Sequence, residues 1–268
     1  MILNAIVAGE EHTGIPLVIL HGLMGSADNW RSAVKAWGRE RHVIALDLRN
    51  HGRSPHTDVM NYADMAADVA ETLATLNVNY FDLLGHSMGG KTAIALACAY
   101  PALIHRLIIE DIAPVNYRHE HRDIFQAMRA VADSTIKERR EADKIMQSFL
   151  PDLATRQFIA TNLVRDEDGL LRWRVALDDI IREYPKISDT PLEERHEEEN
   201  NEGRTRGHFE QPTLLIKGEH SSYVTPEGIE ATRKIFPDLT IETLPTGHWV
   251  HAEKFSAFKS IVDDFLNR

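Results

Sequence analysis

The residues best placed to do chemistry are Gly85-His86-Ser87-Met88-Gly89, a G-x-S-x-G string. An apolar run, Phe81 to Leu84, precedes it, and a small-residue stretch, Gly90 to Ala97, follows it. Strand, sharp turn and helix around such a string form a nucleophile elbow, where the turn holds a serine hydroxyl above the end of a sheet. The glycines are needed because backbone crossing this tightly leaves no room for a Cβ on either side of the serine. A serine hydroxyl is a weak nucleophile near neutral pH. It needs a base within hydrogen-bond reach, and that base needs a third group to orient it.

Among 14 histidines the best base is His248, in the loop Gly247-His248-Trp249 after the last apolar strand run. His251 lies one turn further on and reads as structural, and His86, inside the elbow, reads as packing beside the serine. On folds built around an elbow the chain order is serine, acid, histidine. The usual place for the acid is a G-x-x-D-x-x-V loop. Here that loop reads Gly218-Glu219-His220-Ser221-Ser222-Tyr223-Val224, with serine where the aspartate would fall. Asp111, closing the strand run Leu107 to Asp111 at the same sheet edge, is the first candidate. Glu219 and Glu110 follow it, and Asp111 could instead be a turn cap bonding nearby amides.

A developing oxyanion needs two donors aimed at it. One is expected from the backbone N–H of Met88. The other is expected from the loop His21-Gly22-Leu23-Met24-Gly25-Ser26, at Leu23. The distinctive stretch Asp47 to Ser54 reads as a strand-to-loop turn held by its own polar groups, with no direct catalytic part.

The elements that must position these groups follow from the apolar pattern. Ile15 to Leu20, His42 to Asp47, Phe81 to Leu84, Leu107 to Asp111, Thr213 to Gly218 and Thr240 to Leu244 are strand runs, the first two of the kind buried on both faces. Helical spacing between them (Met65, Val69, Leu73, Leu76) predicts an α/β fold with a largely parallel sheet. From about Val115 to His208 the pattern offers helices alone, including a charged stretch with Trp173, Val175, Leu177, Ile180 and Ile181. The expected organisation is a core of residues 1–114 and 209–268, with a helical cap, 115–208, over the carboxyl edge of the sheet, where open α/β sheets bind ligands.

A chain of 268 residues, 43% hydrophobic, can bury a substantial core in one such unit. Its formal net charge of −11 leaves no basic stripe for nucleic acid. Cys98 is the only cysteine, so no disulfide framework exists, and it reads as a buried small hydrophobe. The start, Met1 to Glu11, lacks a basic segment and suits a first strand better than a signal peptide. No apolar run approaches the ~20 residues of a membrane helix. A cytoplasmic location is therefore expected, without a membrane or nucleic-acid partner. The acidic run Glu193 to Glu202 reads as a solvated surface, and His196 within it is a weak metal-ligand candidate.

With these residues in place the chain resembles the α/β-hydrolase superfamily, and more narrowly the bacterial YbfF-type esterases. His21 to Ser26, Asp47 to Ser54, Gly85 to Lys91, Ile109 to Val115 and Gly247 to Lys254 carry the closer match; the block 115–208 matches less well, and the charged stretch around Glu193 to Arg206 departs most. The resemblance implies an α/β-hydrolase fold with Asp111 as the acid and Ser221 helping to hold His248. It also implies hydrolysis of short- to medium-chain acyl esters, or acyl thioesters such as acyl-CoA, through a Ser87-His248-Asp111 triad with no cofactor or metal. A C–C bond hydrolase or dedicated thioesterase would use the same triad. A low-turnover ligand sensor on the same fold is the reading from another class. Dehalogenase and epoxide hydrolase relatives need an aspartate at the Ser87 position.

Overall fold

Runs such as Leu17-Val18-Ile19-Leu20 and Val43-Ile44-Ala45-Leu46 have no polar face, so a strand made of them must be covered on both sides. In the computed structural model, which describes residues 1–117, 121–192 and 208–268, they form the middle of a seven-stranded sheet. The first half of the chain alternates β1 (Ala5–Ala8), β2 (Leu17–Leu20), α1 (Arg31–Trp37), β3 (Val43–Leu46), α2 (Tyr62–Thr75), β4 (Phe81–His86), α3 (Met88–Ala99) and β5 (Ile104–Glu110). An inserted block follows: α4 (Arg122–Ala132), α5 (Arg139–Met146), α6 (Leu153–Ala160), β6 (Leu163–Arg165), β7 (Leu171–Trp173) and α7 (Leu177–Ser188). The sheet resumes with β8 (Thr213–Gly218), α8 (Pro226–Ile235), β9 (Leu239–Leu244), α9 (Val250–Glu253) and α10 (Phe255–Leu266).

The strand order is β1-β3-β2-β4-β5-β8-β9. β1 runs antiparallel to β3, and the other neighbours in the sheet are parallel. Alternation along the strands divides the core in two. Val18, Leu20, Ile44, Leu83, Ile109 and Leu215 pack towards α2, α3 and the inserted block. Leu17, Ile19, Ala45, Leu84, Ile108 and Leu214 pack on the other face against Trp30, Trp37, Phe258 and Val262. Parallel pairing brings the carboxyl ends of β4, β5 and β8 side by side, with His86 opposite Glu110 and Glu110 opposite Ile216. The elbow, the end of β5 and the loop after β8 therefore meet at one edge.

The expectation of helices alone between Val115 and His208 is corrected by β6 and β7, an antiparallel pair joining Leu163 to Trp173 and Arg165 to Leu171. The turn between them, Asp166-Glu167-Asp168-Gly169, places Gly169 at φ +78°, which a helix does not allow. Leu163 and Leu171 bury one face of the pair. Trp173 therefore belongs to a strand, with its indole N–H donating to the Met128 carbonyl at 2.8 Å. Cys98 is half-buried rather than fully enclosed, and burial pushes its thiol up to about 12. The acidic run Glu193 to Glu202, with His196, lies outside the described residues. Among the described residues no helix is long and apolar enough to cross a membrane.

The inserted block is tied to the core by polar contacts at its seam. The Tyr62 hydroxyl donates to the Ile187 carbonyl at 2.6 Å, and Asn162 Nδ2 to the Met24 carbonyl at 2.6 Å. The Ala176 N–H donates to the Asn50 carbonyl at 3.0 Å. Lys91, on α3 and 1% exposed, reaches across to the carbonyls of Ser188 (3.2 Å) and Asp189 (2.5 Å) at the end of α7. A cation suits that position, since the last carbonyls of a helix carry partial negative charge. The Tyr117 ring adds a cation–π face, its centroid 4.6 Å from Nζ.

Burial nevertheless lowers the Lys91 ammonium from 10.5 to about 7, against the opposing pull of Asp189. Between those two values the unfolded chain holds a proton that the folded chain does not, so this group's contribution to stability rises with pH across that window. It is lost as pH falls from about 10.5 towards 7. Lys91→Met removes the dependence. Denaturant titrations at about pH 7.5 and pH 9 should show wild type gaining on the variant by up to ~1.4 kcal/mol per pH unit. A constant difference between the two would mean that Lys91 keeps its proton throughout.

Candidate active site

The elbow is held by contacts that only glycine permits. A Cβ on Gly85 would lie 2.2 Å from the Gly89 carbonyl oxygen, and one on Gly89 2.4 Å from that of Leu20. Ser87 sits between them at φ 54°, ψ −118°, a conformation costing of order 1–3 kcal/mol for a residue with a Cβ. Its N–H is fixed to the Glu110 carbonyl at 3.0 Å, and its own carbonyl accepts from Lys91 N–H at 3.0 Å. The strained turn is thus clamped between β5 and the first turn of α3.

Asp111 follows β5 at φ 49°, a region that aspartate tolerates better than most side chains. Its carboxylate is fully buried and satisfied by three donors. Oδ1 accepts from Gly218 N–H at 2.8 Å; Oδ2 accepts from the Ser221 hydroxyl and from His248 Nδ1, the latter at 2.7 Å. Two of those donors come from the β8 end and one from the loop after β9, so the sheet order assembles the group. With Nδ1 engaged, Nε2 is the imidazole atom left for chemistry. The Tyr223 ring stacks on His248 at 3.9 Å and 17°, fixing the plane of the imidazole. Ser87, His248, Leu23 and Tyr223 line one cavity of about 250 Å³, roofed by Ile124, Phe158 and Ile159 of the inserted block.

The other acid and histidine candidates go elsewhere. Glu219 is exposed. Glu110 is buried and bonds the ring and backbone N–H of His251, at 2.7 and 2.8 Å. His86 donates from Nε2 to the His248 carbonyl at 3.0 Å. Burial and the neighbouring histidines hold its pKa well below the ordinary value, so it stays neutral and supports the His248 loop.

Met88 opens α3, so its N–H is among those without an intrahelical acceptor and is available at the elbow. Leu23 reaches the same cavity from the loop after β2. What holds that loop is the stretch Asp47 to Ser54. The Leu48 N–H donates to His21 Nε2 at 3.0 Å, so His21 Nδ1 donates to the Gly22 carbonyl at 2.8 Å. The Met24 N–H donates to His51 Nε2 at 3.1 Å, and His51 Nδ1 to the Arg49 carbonyl at 2.9 Å. Desolvation lowers both histidines, His51 to about 3, so each keeps the acceptor nitrogen that the loop requires. Asp47 completes the frame, accepting from Ala27 and Arg53 N–H at 2.7 and 2.8 Å. The turn is therefore self-held, as its composition implies, but it also positions the Leu23 loop. That link escaped the sequence reading, and the only signal for it was the density of polar residues in eight consecutive positions.

The alpha/beta hydrolase fold family model matches residues 15–255. The chain belongs to the α/β-hydrolase family. This hydrolase is 36% identical over 268 residues to the sn-1-specific diacylglycerol lipase ABHD11 of Xenopus laevis, covering 94% of this chain and 80% of that protein. It is 33% identical over 270 residues to Esterase YbfF of Escherichia coli strain K12, covering 99% of this chain and 98% of the relative. Among solved structures, a marine microorganism esterase superposes with a TM-score of 0.90 at 34% identity, covering 98% of this chain and 99% of its own. The resemblance to YbfF-type esterases extends over nearly the full chain.

The carboxylate network makes a graded prediction. Asp111→Asn should leave the hydrolase folded but hold His248 in the wrong tautomer, and the corresponding change in a serine protease costs roughly 10⁴ in turnover. Adding Ser221→Asp returns a carboxylate from the loop after β8 and should recover part of that loss. Glu219→Gln should do little. Turnover of the three variants on one soluble ester decides the matter, and collapse in Glu219→Gln with normal rates in Asp111→Asn would reverse the assignment.

Proposed function

We propose that this hydrolase is a serine carboxylesterase acting on short- to medium-chain acyl esters. The observation that carries the reading is the His248–Asp111 hydrogen bond of 2.7 Å beside a cavity that also holds Ser87 on its elbow. In this reading Ser87 Oγ attacks the acyl carbonyl while His248 Nε2 takes its proton. Asp111 orients the imidazole and stabilises its cation, and the N–H groups of Leu23 and Met88 hold the oxyanion. His248 returns the proton to the departing alcohol, leaving an acyl-enzyme on Ser87. Water then attacks with His248 again as base, and the carboxylic acid leaves. No step calls for a metal or cofactor.

The names of the relatives support ester chemistry, and a diacylglycerol lipase among them is consistent with glycerides as substrates. A cavity of about 250 Å³ lies just below the usual range for small-molecule sites, which favours short or medium acyl groups. An acyl thioester presents the same carbonyl to the same nucleophile, so acyl-CoA is included in the proposal. The block 115–208 serves as a cap over a core of residues 1–114 and 209–268, and supplies the walls that choose the acyl chain.

Ser87→Ala and His248→Ala should each lower kcat on p-nitrophenyl esters by roughly 10⁴–10⁶-fold, and the double variant should be scarcely worse, as expected of groups acting as a unit. Full activity of His248→Ala on activated esters would remove it as the base. A fluorophosphonate should label wild type and spare Ser87→Ala; wild type that resists labelling would favour a binding protein over an enzyme.

Chain length is the second measurement. Ile124→Ala and Ile159→Ala enlarge the cavity wall and should move the best substrate to longer acyl groups by a few carbons. One methylene is worth ~1–3 kcal/mol of discrimination, so preferences should change about 10- to 200-fold. Unchanged preference in both variants would place the acyl group elsewhere.

A further inference from the structure

Beside the triad, on the far side of His86, three metal-type donors converge without taking part in the proposed reaction. His86, Glu110 and His251 each bring one donor atom into a group whose members all lie within 4.8 Å of one another. His86 comes from the elbow, Glu110 from the last position of β5, and His251 from α9, so three separate segments build the cluster.

Glu110 is the telling member. It is fully buried, and its Oε1 accepts both hydrogen bonds from His251 while Oε2 has no hydrogen-bond partner among the described residues. A buried carboxylate with one bare oxygen is costly unless something else satisfies it. The other two donors of the group are imidazoles. Two imidazoles and a carboxylate form the donor set of a zinc-class divalent ion.

The surroundings suit such a site. Trp30 stacks on the His251 ring at 4.1 Å and 18°, holding it in place. His86 and His251 line a second cavity, of about 330 Å³, which also carries Asn29 and Trp30. Tetrahedral zinc with bonds of ~2.1 Å needs donors about 3.4 Å apart, so side-chain rotations of roughly 1 Å close the cluster.

We propose that His86, Glu110 and His251 bind one divalent transition-metal ion, with Zn²⁺ the best fit, in the wall between the two cavities. The ion takes no step in ester hydrolysis. It neutralises Glu110 and joins the elbow, the end of β5 and α9 through one centre. His86 also contacts the His248 carbonyl, so occupancy reaches the loop that carries the base.

Binding is read without turnover, so failure of the esterase assignment would leave this test intact. Full-length protein, stripped with chelator, is titrated with Zn²⁺ in a calorimeter, and Co²⁺ is added as a spectroscopic probe. Expected are one ion per chain, a visible tetrahedral Co²⁺ spectrum, and loss of both in Glu110→Gln and His251→Gln. A ligand replacement should weaken binding by at least the ~10–100-fold that an outer-shell change produces. Asp111→Asn and His248→Ala should keep the ion. Circular dichroism of each variant confirms that it is folded, and His86→Gln provides a second ligand variant should either of the others unfold. Zn²⁺ that binds equally to folded Glu110→Gln, that is lost with His248→Ala, or that fails to bind wild type overturns the site.

Discussion

The site depends on one buried carboxylate. Asp111 is 0% exposed and has three donors converging on it, from Gly218, Ser221 and His248. A charge removed from water this completely is tolerable only when its oxygens are bonded. The same bonds that satisfy the charge locate the imidazole. Satisfying the charge and placing His248 therefore depend on the same hydrogen bonds, and β5 must lie between β4 and β8 for them to exist. Asp111 and His248 are 137 positions apart, so the pair forms only when both halves of the sheet are in place.

A second constraint works through neutral histidines. The loop bearing Leu23 is pinned from inside the protein. It is held by His21 and His51, whose burial keeps an unprotonated nitrogen facing a backbone N–H. A protonated ring would present a donor to a donor and release the loop. Low basicity is thus a structural requirement here rather than a sign of catalysis. Ser87 is different: its strained backbone is over-determined by two glycine contacts and two backbone hydrogen bonds, which is how such strain persists.

Much of this was legible in residue order. The elbow announces itself because its glycines are sterically required, and the buried strands because they lack a polar face. The partner of His248 was harder. Asp111 and Ser221 exchange a hydrogen bond because β5 and β8 are neighbours, and strand order is not written locally. The β6–β7 hairpin was invisible because strands of three residues carry too little alternation to compete with a helical reading. The support given to Leu23 by Asp47 to Ser54 left no trace either, since most of those contacts end on backbone atoms. The cavity wall belonged to the same blind spot: Ile124, Phe158 and Ile159 have the spacing of ordinary core residues, and only their place over Ser87 makes them a pocket wall.

The inserted block and the core share more than a surface. Phe158 from α6 and Trp249, next to His248, lie with ring centroids 5.4 Å apart, and both line the two cavities on either side of His86. A displacement of α6 therefore changes both chambers together. It also changes the packing around the residue that follows His248. Lys91 anchors the other end of the block through the carbonyls closing α7, at a seam where an apolar side chain would pack but could not select those two oxygens. A buried amino group is a poor way to gain stability. Its value here is directional: it fixes where α7 ends relative to α3.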